Sequence, residues 1–92
     1  MKKKNVYVLL IESVTRGERD DAIIEVFNNI ENAKARFEEM YNKTLKEWKE
    51  WCDPDFLEYL IADNKLYAEI NEKYNMSYNH VLFSIDKKEI QL

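Results

Sequence analysis

The chain has 92 residues, of which 46% are hydrophobic and 35% are charged, so it can form one core and an ionised surface. We expect a single domain over residues 1–92. A single Gly and a single Pro disfavour an all-β fold with many tight turns, and a net charge of -4 makes direct nucleic-acid binding unlikely on electrostatic grounds.

The first half of the chain begins with a predicted β-hairpin. Residues 5–14 read NVYVLLIESV and are apolar at both odd-numbered and even-numbered positions. Since neighbouring residues of a strand point to opposite faces, this predicts a strand covered on both faces or partly at an oligomer contact. Residues 15–21 read TRGERDD, the composition of a solvated hairpin loop. Residues 22–27 read AIIEVF and predict a second, antiparallel strand.

A long helix is predicted after this hairpin. Asn28 and Asn29 can cap its first turn, and Glu31 places a negative charge at the positive end of the helix dipole. From Ile30 onward, apolar residues recur at spacings of three and four, at Ala33, Phe37, Met40, Tyr41, Leu45, Trp48 and Cys52. This pattern predicts one apolar face packed against a sheet.

Two shorter elements are predicted before the end of the chain. Asp53 can cap and Pro54 can begin a second helix, which we expect to extend to about residue 62. Residues 65–74 fit either a helix or a strand, and the Glu69 to Lys73 spacing favours the helix.

A final strand is predicted over residues 80–85, with Asp86-Lys87-Lys88 ending it. The predicted fold class is therefore α+β. A small antiparallel sheet, made of the N-terminal hairpin and the C-terminal strand, packs against one long helix and one or two shorter helices.

No pattern in the sequence indicates catalysis, a cofactor or a metal. His80 is the only histidine and begins an apolar strand, and Cys52 fits a small core residue better than a reactive thiol. Adjacent acids do not converge on one ion, and one Gly cannot build a phosphate-binding loop. We expect a protein that is not an enzyme.

Aromatic residues are dense in the second half of the chain. Tyr and Trp are enriched at binding hot spots because they combine a large apolar body with one polar tip. A domain of this size cannot easily bury them all, so one or two should be exposed. The candidate binding residues are Trp48, Trp51, Tyr59, Tyr67, Tyr74 and Tyr78.

An alternative site uses the same aromatics differently. A base could stack on Tyr or Trp while an arginine contacts a phosphate, which would make this a small-ligand or nucleotide-binding protein. The arginines considered for that role are Arg16, Arg19 and Arg36.

Cellular location and assembly can also be predicted. Cys52 is the only cysteine, and a lone thiol fits a reducing compartment, so we expect the cytoplasm, or the host cytoplasm if the chain is phage-encoded. The apolar run 6–11 is too short for a signal peptide or a membrane span, so no membrane partner is expected. The doubly apolar first strand and the open sheet edges favour a homodimer.

Three stretches of the sequence carry a resemblance: the strand ending in EVF, the segment NNIENAKARFEEMY with its Glu31-Asn32-Ala33-Lys34 pattern, and the terminal HVLFSIDKKEI. The chain resembles small uncharacterised proteins of bacteriophages and mobile elements over residues 5–42 and 79–90. No residue role is carried over from them. The acidic, aromatic segment 48–78 departs from the pattern, so we expect the specific site there.

The functional expectation follows from small size, the lack of catalytic parts and the aromatic excess. It is a non-enzymatic protein-binding module, an inhibitor or adaptor of a host protein or protein complex. Anti-defence factors, including those directed against a CRISPR effector, belong to this class.

Overall fold

The fold is α+β, as the sequence predicts, and the sheet dominates it. The computed structural model describes residues 2–15, 18–73 and 78–91. In this part of the chain the elements are β1 (Lys3–Thr15), β2 (Glu18–Phe27), α1 (Ile30–Trp51), β3 (Leu57–Ile61), β4 (Tyr67–Lys73) and β5 (Tyr78–Gln91). All strands are antiparallel to their neighbours, in the spatial order β2-β1-β5-β4-β3.

The N-terminal hairpin is confirmed, and its strands are longer than predicted. The predicted loop at residues 15–21 is too long, because β2 already begins at Glu18, where it pairs with Thr15. Charge is tolerated in an edge strand because such a strand has no neighbouring strand on one side, so this composition does not exclude pairing. Arg16 and Gly17 lie outside the described residues.

The C-terminal strand is confirmed and extends beyond its predicted end. Asp86-Lys87-Lys88 does not interrupt β5, since Lys87 pairs with Tyr7 and Lys88 pairs with Val6 of the long strand β1. These lysines are exposed, so their pairing does not bury a charge.

The prediction of shorter helices is wrong. Residues 54–56 form a turn, in which the Asp55 amide donates to Asp53 Oδ1 at 2.9 Å, and β3 follows. The segment 65–74 contains strand β4, in which Ala68 and Ile70 are fully buried. Burial of Ala68 and Ile70 on one face of the strand, together with pairing to β5, outweighs helix propensity here. The middle of the chain is therefore mostly sheet.

The turn between β3 and β4 explains why the hairpin that these strands form was not predicted. Lys65 adopts a positive φ of 59°, a conformation in which Gly or Asn is the usual residue. Its amide donates to the Ala62 carbonyl at 2.9 Å, and Asn64 Oδ1 accepts from the Leu66 amide at 3.0 Å. The Lys65 ammonium also forms an ion pair with Glu38 of α1. A turn without glycine does not stand out in a sequence.

The long helix α1 matches its prediction closely. Asn29 caps it, with its side chain accepting from the Asn32 amide at 2.8 Å. One stripe of the helix is buried, at Ala33, Phe37 and Tyr41. The rings of Phe37 and Tyr41 meet Phe83 of β5 edge to face, with centroids 6.1 and 5.6 Å apart.

The sheet has two unequal faces. On one face, which we call the helix face, Leu9, Ile70 and Phe83 are fully buried beneath α1. No element within the described residues covers the opposite face, which we call the open face. Ile24 and Val26 of β2 are 64% and 63% exposed there. The described elements thus cover β1 on one face only, and the alternative expectation for its other face, an oligomer contact, stays a prediction.

Candidate protein-binding edge

The free edge of the sheet at β3 carries an unusual concentration of exposed apolar side chains. Large hydrophobic residues exposed between positions 51 and 67 are Trp51, Phe56, Tyr59, Leu60, Ile61 and Tyr67. Natural sheet edges are often protected by charge or proline, whereas the strand residues LEYLI contain one charge. This edge is therefore open to pairing with another chain.

The register of β3 shows which backbone groups face outward. The Ala62 amide donates to the Tyr67 carbonyl at 2.8 Å, and the Lys73 amide donates to the Phe56 carbonyl at 3.0 Å. In an antiparallel pair, hydrogen-bonded residues alternate along the strand. The backbone groups of Leu57, Tyr59 and Ile61 therefore point away from β4.

A pocket adjoins this edge on the helix face. Its volume is about 450 Å³, and its lining comprises Lys49, Cys52, Pro54, Leu57 and Tyr59. The Lys49 ammonium lies 5.1 Å from the centre of the Tyr59 ring, a cation–π distance. An apolar side chain from a partner strand can enter this pocket while its backbone pairs with β3.

Cys52 lines this pocket and is buried, as predicted. Its Sγ lies 3.4 Å from Glu72 Oε2 and 3.6 Å from the Asp53 carbonyl. Burial, followed by the hydrogen bond and negative charge of Glu72, raises the pKa of the thiol to about 11. The thiol stays protonated near neutral pH, which suits a packing residue and disfavours a nucleophile.

A second pocket lies at the end of α1. Its volume is about 300 Å³, and its lining comprises Ser13, Val14, Thr15, Trp48, Trp51, Asn79, His80 and Val81. The two indole rings are 4.9 Å apart and inclined by 56°. Such a pair offers an aromatic surface beside the end of the β1–β2 hairpin.

The predicted aromatic candidates separate into groups. Trp51, Tyr59 and Tyr67 are exposed, at 54%, 49% and 40%, whereas Trp48 is half-buried against the core. The Tyr67 hydroxyl donates to Glu69 Oε2 at 2.7 Å. Tyr74 lies outside the described residues, and only the backbone of Tyr78 is described.

Of the three arginines considered for phosphate binding, only Arg36 has a described side chain. Arg36 Nε donates to Glu25 Oε1 at 2.8 Å, and its Nη1 donates to Glu39 Oε1 at 2.8 Å. The hydrogen bond and charge of Glu25 raise the pKa of Arg36, which remains a cation held by two carboxylates. Arg16 and the side chain of Arg19 lie outside the described part of the chain.

Two further properties of the described residues bear on function. Within ranges 2–15, 18–73 and 78–91, no three His, Cys, Asp or Glu side chains form a group that could hold a metal ion. Across the same ranges, no helix combines the length and apolar character needed to cross a bilayer.

Sequence reasoning missed the aliphatic part of this site, at Leu57, Leu60 and Ile61. The assignment of residues 54–62 to a helix hid them, because a helix would have placed them around its circumference. The run LEYLI between a proline turn and an Asp-Asn pair was the available signal.

Comparison of the chain with protein-family models, with curated proteins and with solved structures finds no match.

Proposed function

We propose that the protein is a non-enzymatic protein-binding module that binds its partner at the free edge of β3. The observation that carries this proposal is the outward backbone of Leu57, Tyr59 and Ile61, lying among exposed apolar side chains. Strand addition at a sheet edge obtains affinity from main-chain hydrogen bonds and specificity from side-chain pockets.

The two sides of the edge have different tasks in this proposal. On the helix face, the pocket beside Tyr59 accepts a side chain of the partner strand, and Trp51 lies exposed on the neighbouring end of α1. On the open face, Leu60 supplies apolar contact. Aromatic anchors surrounded by polar residues are typical of discriminating interfaces.

The finer proposal is that the partner is a host protein and that binding inhibits or redirects it. The resemblance to phage and mobile-element proteins over residues 5–42 and 79–90 supports this reading. The β3–β4 hairpin lies outside both ranges, which supports its role as the part specific to this protein. Components of host defence, including CRISPR effectors, are the first partners to test.

Paired substitutions at Ile61 test the edge. Ile61→Pro removes one outward amide without removing a hydrogen bond of the sheet, because proline is tolerated where the edge N–H faces solvent. Ile61→Ala is the matched control, since it shortens the same side chain and keeps the amide.

Affinity capture from bacterial lysate followed by mass spectrometry compares these variants with the unmodified protein. We expect Ile61→Ala to retain a specific partner and Ile61→Pro to lose it, with circular dichroism unchanged. Equal recovery by both variants would show that β3 does not pair with the partner. An absence of any specific partner would contradict protein binding itself.

A second candidate function is supported by the pocket that contains both tryptophans. An aromatic pair beside the β1–β2 hairpin could stack on a nucleobase or another planar ligand. Thermal shift against a nucleotide panel tests this function, because a ligand at 100 times its Kd stabilises by roughly 2.7 kcal/mol. A shift abolished by Trp51→Ala would support it, whereas no shift with any nucleotide would reject it.

A further inference from the structure

We infer that the open face of the sheet is a homodimer interface, in which a second copy of this chain packs face to face across β1 and β2. Five aliphatic side chains lie together on this face, at Val6, Val8, Leu10, Ile24 and Val26. Their common face follows from the register, which pairs Val8 with Val26 and Leu10 with Ile24. Contiguous apolar surface of this kind marks an interaction site.

The charges on β1 indicate that the occupant is a second copy. From Lys4 to Glu12, the residues of β1 on the open face are Lys4, Val6, Val8, Leu10 and Glu12, and Val14 follows them. The strand is thus basic at one end, acidic at the other and aliphatic between them. Lys4 and Glu12 lie at equal distances from Val8, about 14 Å along the strand on either side.

A two-fold axis over Val8, perpendicular to β1, makes this pattern self-complementary. Such an axis reverses the strand direction between copies, so Val6 of each copy faces Leu10 of the other. It also places Lys4 of each copy over Glu12 of the other, giving two symmetric opposite-charge contacts. Stacked sheets lie about 10 Å apart, and their strands cross at about 30°. The long side chains of Lys4 and Glu12 can together span that separation.

The neighbouring strands extend the same polarity. Lys88 of β5 pairs with Val6 and adds a positive charge near the basic end. Glu69 of β4 lies in the same cross-strand row as Glu12, through Leu82, and adds a negative charge to the acidic end. Asp86 lies in the cross-strand row of Val8, so the same axis places it near Asp86 of the other copy, and this like-charge contact opposes the Lys4 and Glu12 contacts.

The size of this face indicates a weak dimer. From Lys4 to Glu12 only β1 and β5 run the full distance of about 27 Å, because β2 pairs with β1 from Tyr7 onward and β4 pairs with β5 only as far as Ser84. The projected area is therefore on the order of 400 Å² per copy. A stable interface buries about 800 Å² per partner, so we expect dimerisation only at high protein concentration.

Charge exchange between Lys4 and Glu12 tests this interface by sedimentation velocity from micromolar to submillimolar concentration. We expect the unmodified protein to dimerise, and either Lys4→Glu or Glu12→Lys to raise the dimer Kd by roughly 10-fold or more, because each creates two like-charge contacts. The double variant Lys4→Glu with Glu12→Lys should return the Kd to within about 3-fold of the original.

Two controls keep the test specific. Lys46→Glu, at an exposed position of α1, should leave the dimer Kd unchanged. Val8→Lys should produce a monomer with an unchanged circular dichroism spectrum. A monomeric unmodified protein at every concentration would overturn the inference. Failure of the double variant to recover dimerisation while folded would overturn the proposed two-fold arrangement. Neither result alters the test at β3, which uses Ile61.

Discussion

Phe37 shows how a single buried side chain joins the helix to the sheet. It is fully buried, and its ring contacts Phe83 at the centre of β5. Phe37→Ala should lower the free energy of unfolding by about 3 to 5 kcal/mol, because it removes the hydrophobic stabilisation of a buried ring and leaves a cavity. Urea denaturation measures this change. Glu47→Ala on the exposed side of the same helix is the control, and a Phe37→Ala loss below about 1 kcal/mol would contradict the packing.

Cys52 gives a prediction about chemical reactivity. Burial above all, aided by Glu72, raises its thiol pKa to about 11, so alkylation at pH 8 should be slow in the folded protein and fast in urea. Rapid alkylation of the folded protein would contradict its environment.

The raised pKa of Cys52 also predicts a loss of stability at alkaline pH. Both states hold the protonated thiol below pH 9.0, so no differential effect arises there. Between 9.0 and about 11 the unfolded thiol ionises while the folded thiol does not, which favours unfolding. Urea titrations at pH 8 and 10.5 should therefore show a larger alkaline loss than in Cys52→Ala. An equal loss in both would contradict the shift.

At the scale of single residues, side chains on a regular period could be predicted. Phe37 and Cys52 lie on the 3.6-residue period of α1, and both are buried as that period indicates. The partners of Arg36 could not be predicted, because Glu25 is eleven residues away on a strand whose register depends on the whole sheet.

The β3–β4 hairpin is the element that the sequence concealed. Residues 65–74 contain good helix formers, yet β4 alternates between the covered and open faces of the sheet. Tertiary pairing with β5 supplies the stabilisation that local propensity does not indicate. The β1–β2 hairpin was predictable from two apolar runs separated by a charged loop, and α1 from a sustained helical period that begins at the Asn29 cap.

A pair of substitutions distinguishes strand from helix in this region. Ile70→Ala should cost about 2 to 5 kcal/mol because Ile70 is fully buried, whereas Leu60→Ala should cost less than about 1 kcal/mol because nearly half of Leu60 is exposed. Urea denaturation of both variants provides the comparison. Equal costs would show that the strand phases are wrong.

For the whole molecule, the two proposed interfaces occupy different surfaces. The open face across β1 and β2 accepts a second copy, while the edge of β3 lies at the far side of the sheet. A dimer formed through the open face therefore keeps two β3 edges available. One assembly could then bind two copies of its partner.

Two double substitutions compare the contribution of the exposed aromatics near β3 to partner binding with that of the arginines in the β1–β2 hairpin. Trp51→Ala with Tyr59→Ala should weaken partner binding by at least 10-fold, because exposed aromatics at an interface carry a large share of its free energy. Arg16→Ala with Arg19→Ala should change it by less than about 3-fold, because the β1–β2 hairpin lies at the opposite edge of the sheet from β3. Calorimetric titration with the captured partner measures both. The opposite ranking would favour an acidic or phosphate-bearing ligand at the loop.

Amide hydrogen exchange of β3, with and without the captured partner, tests the central claim most directly. The amides of Leu57, Tyr59 and Ile61 point outward and should exchange rapidly in the free protein. Strand addition predicts that these three amides become protected in the complex, while those of Glu58 and Leu60 change less because they already bond to β4. Unchanged exchange at all three, with new protection elsewhere in the chain, would show that the partner binds at another surface.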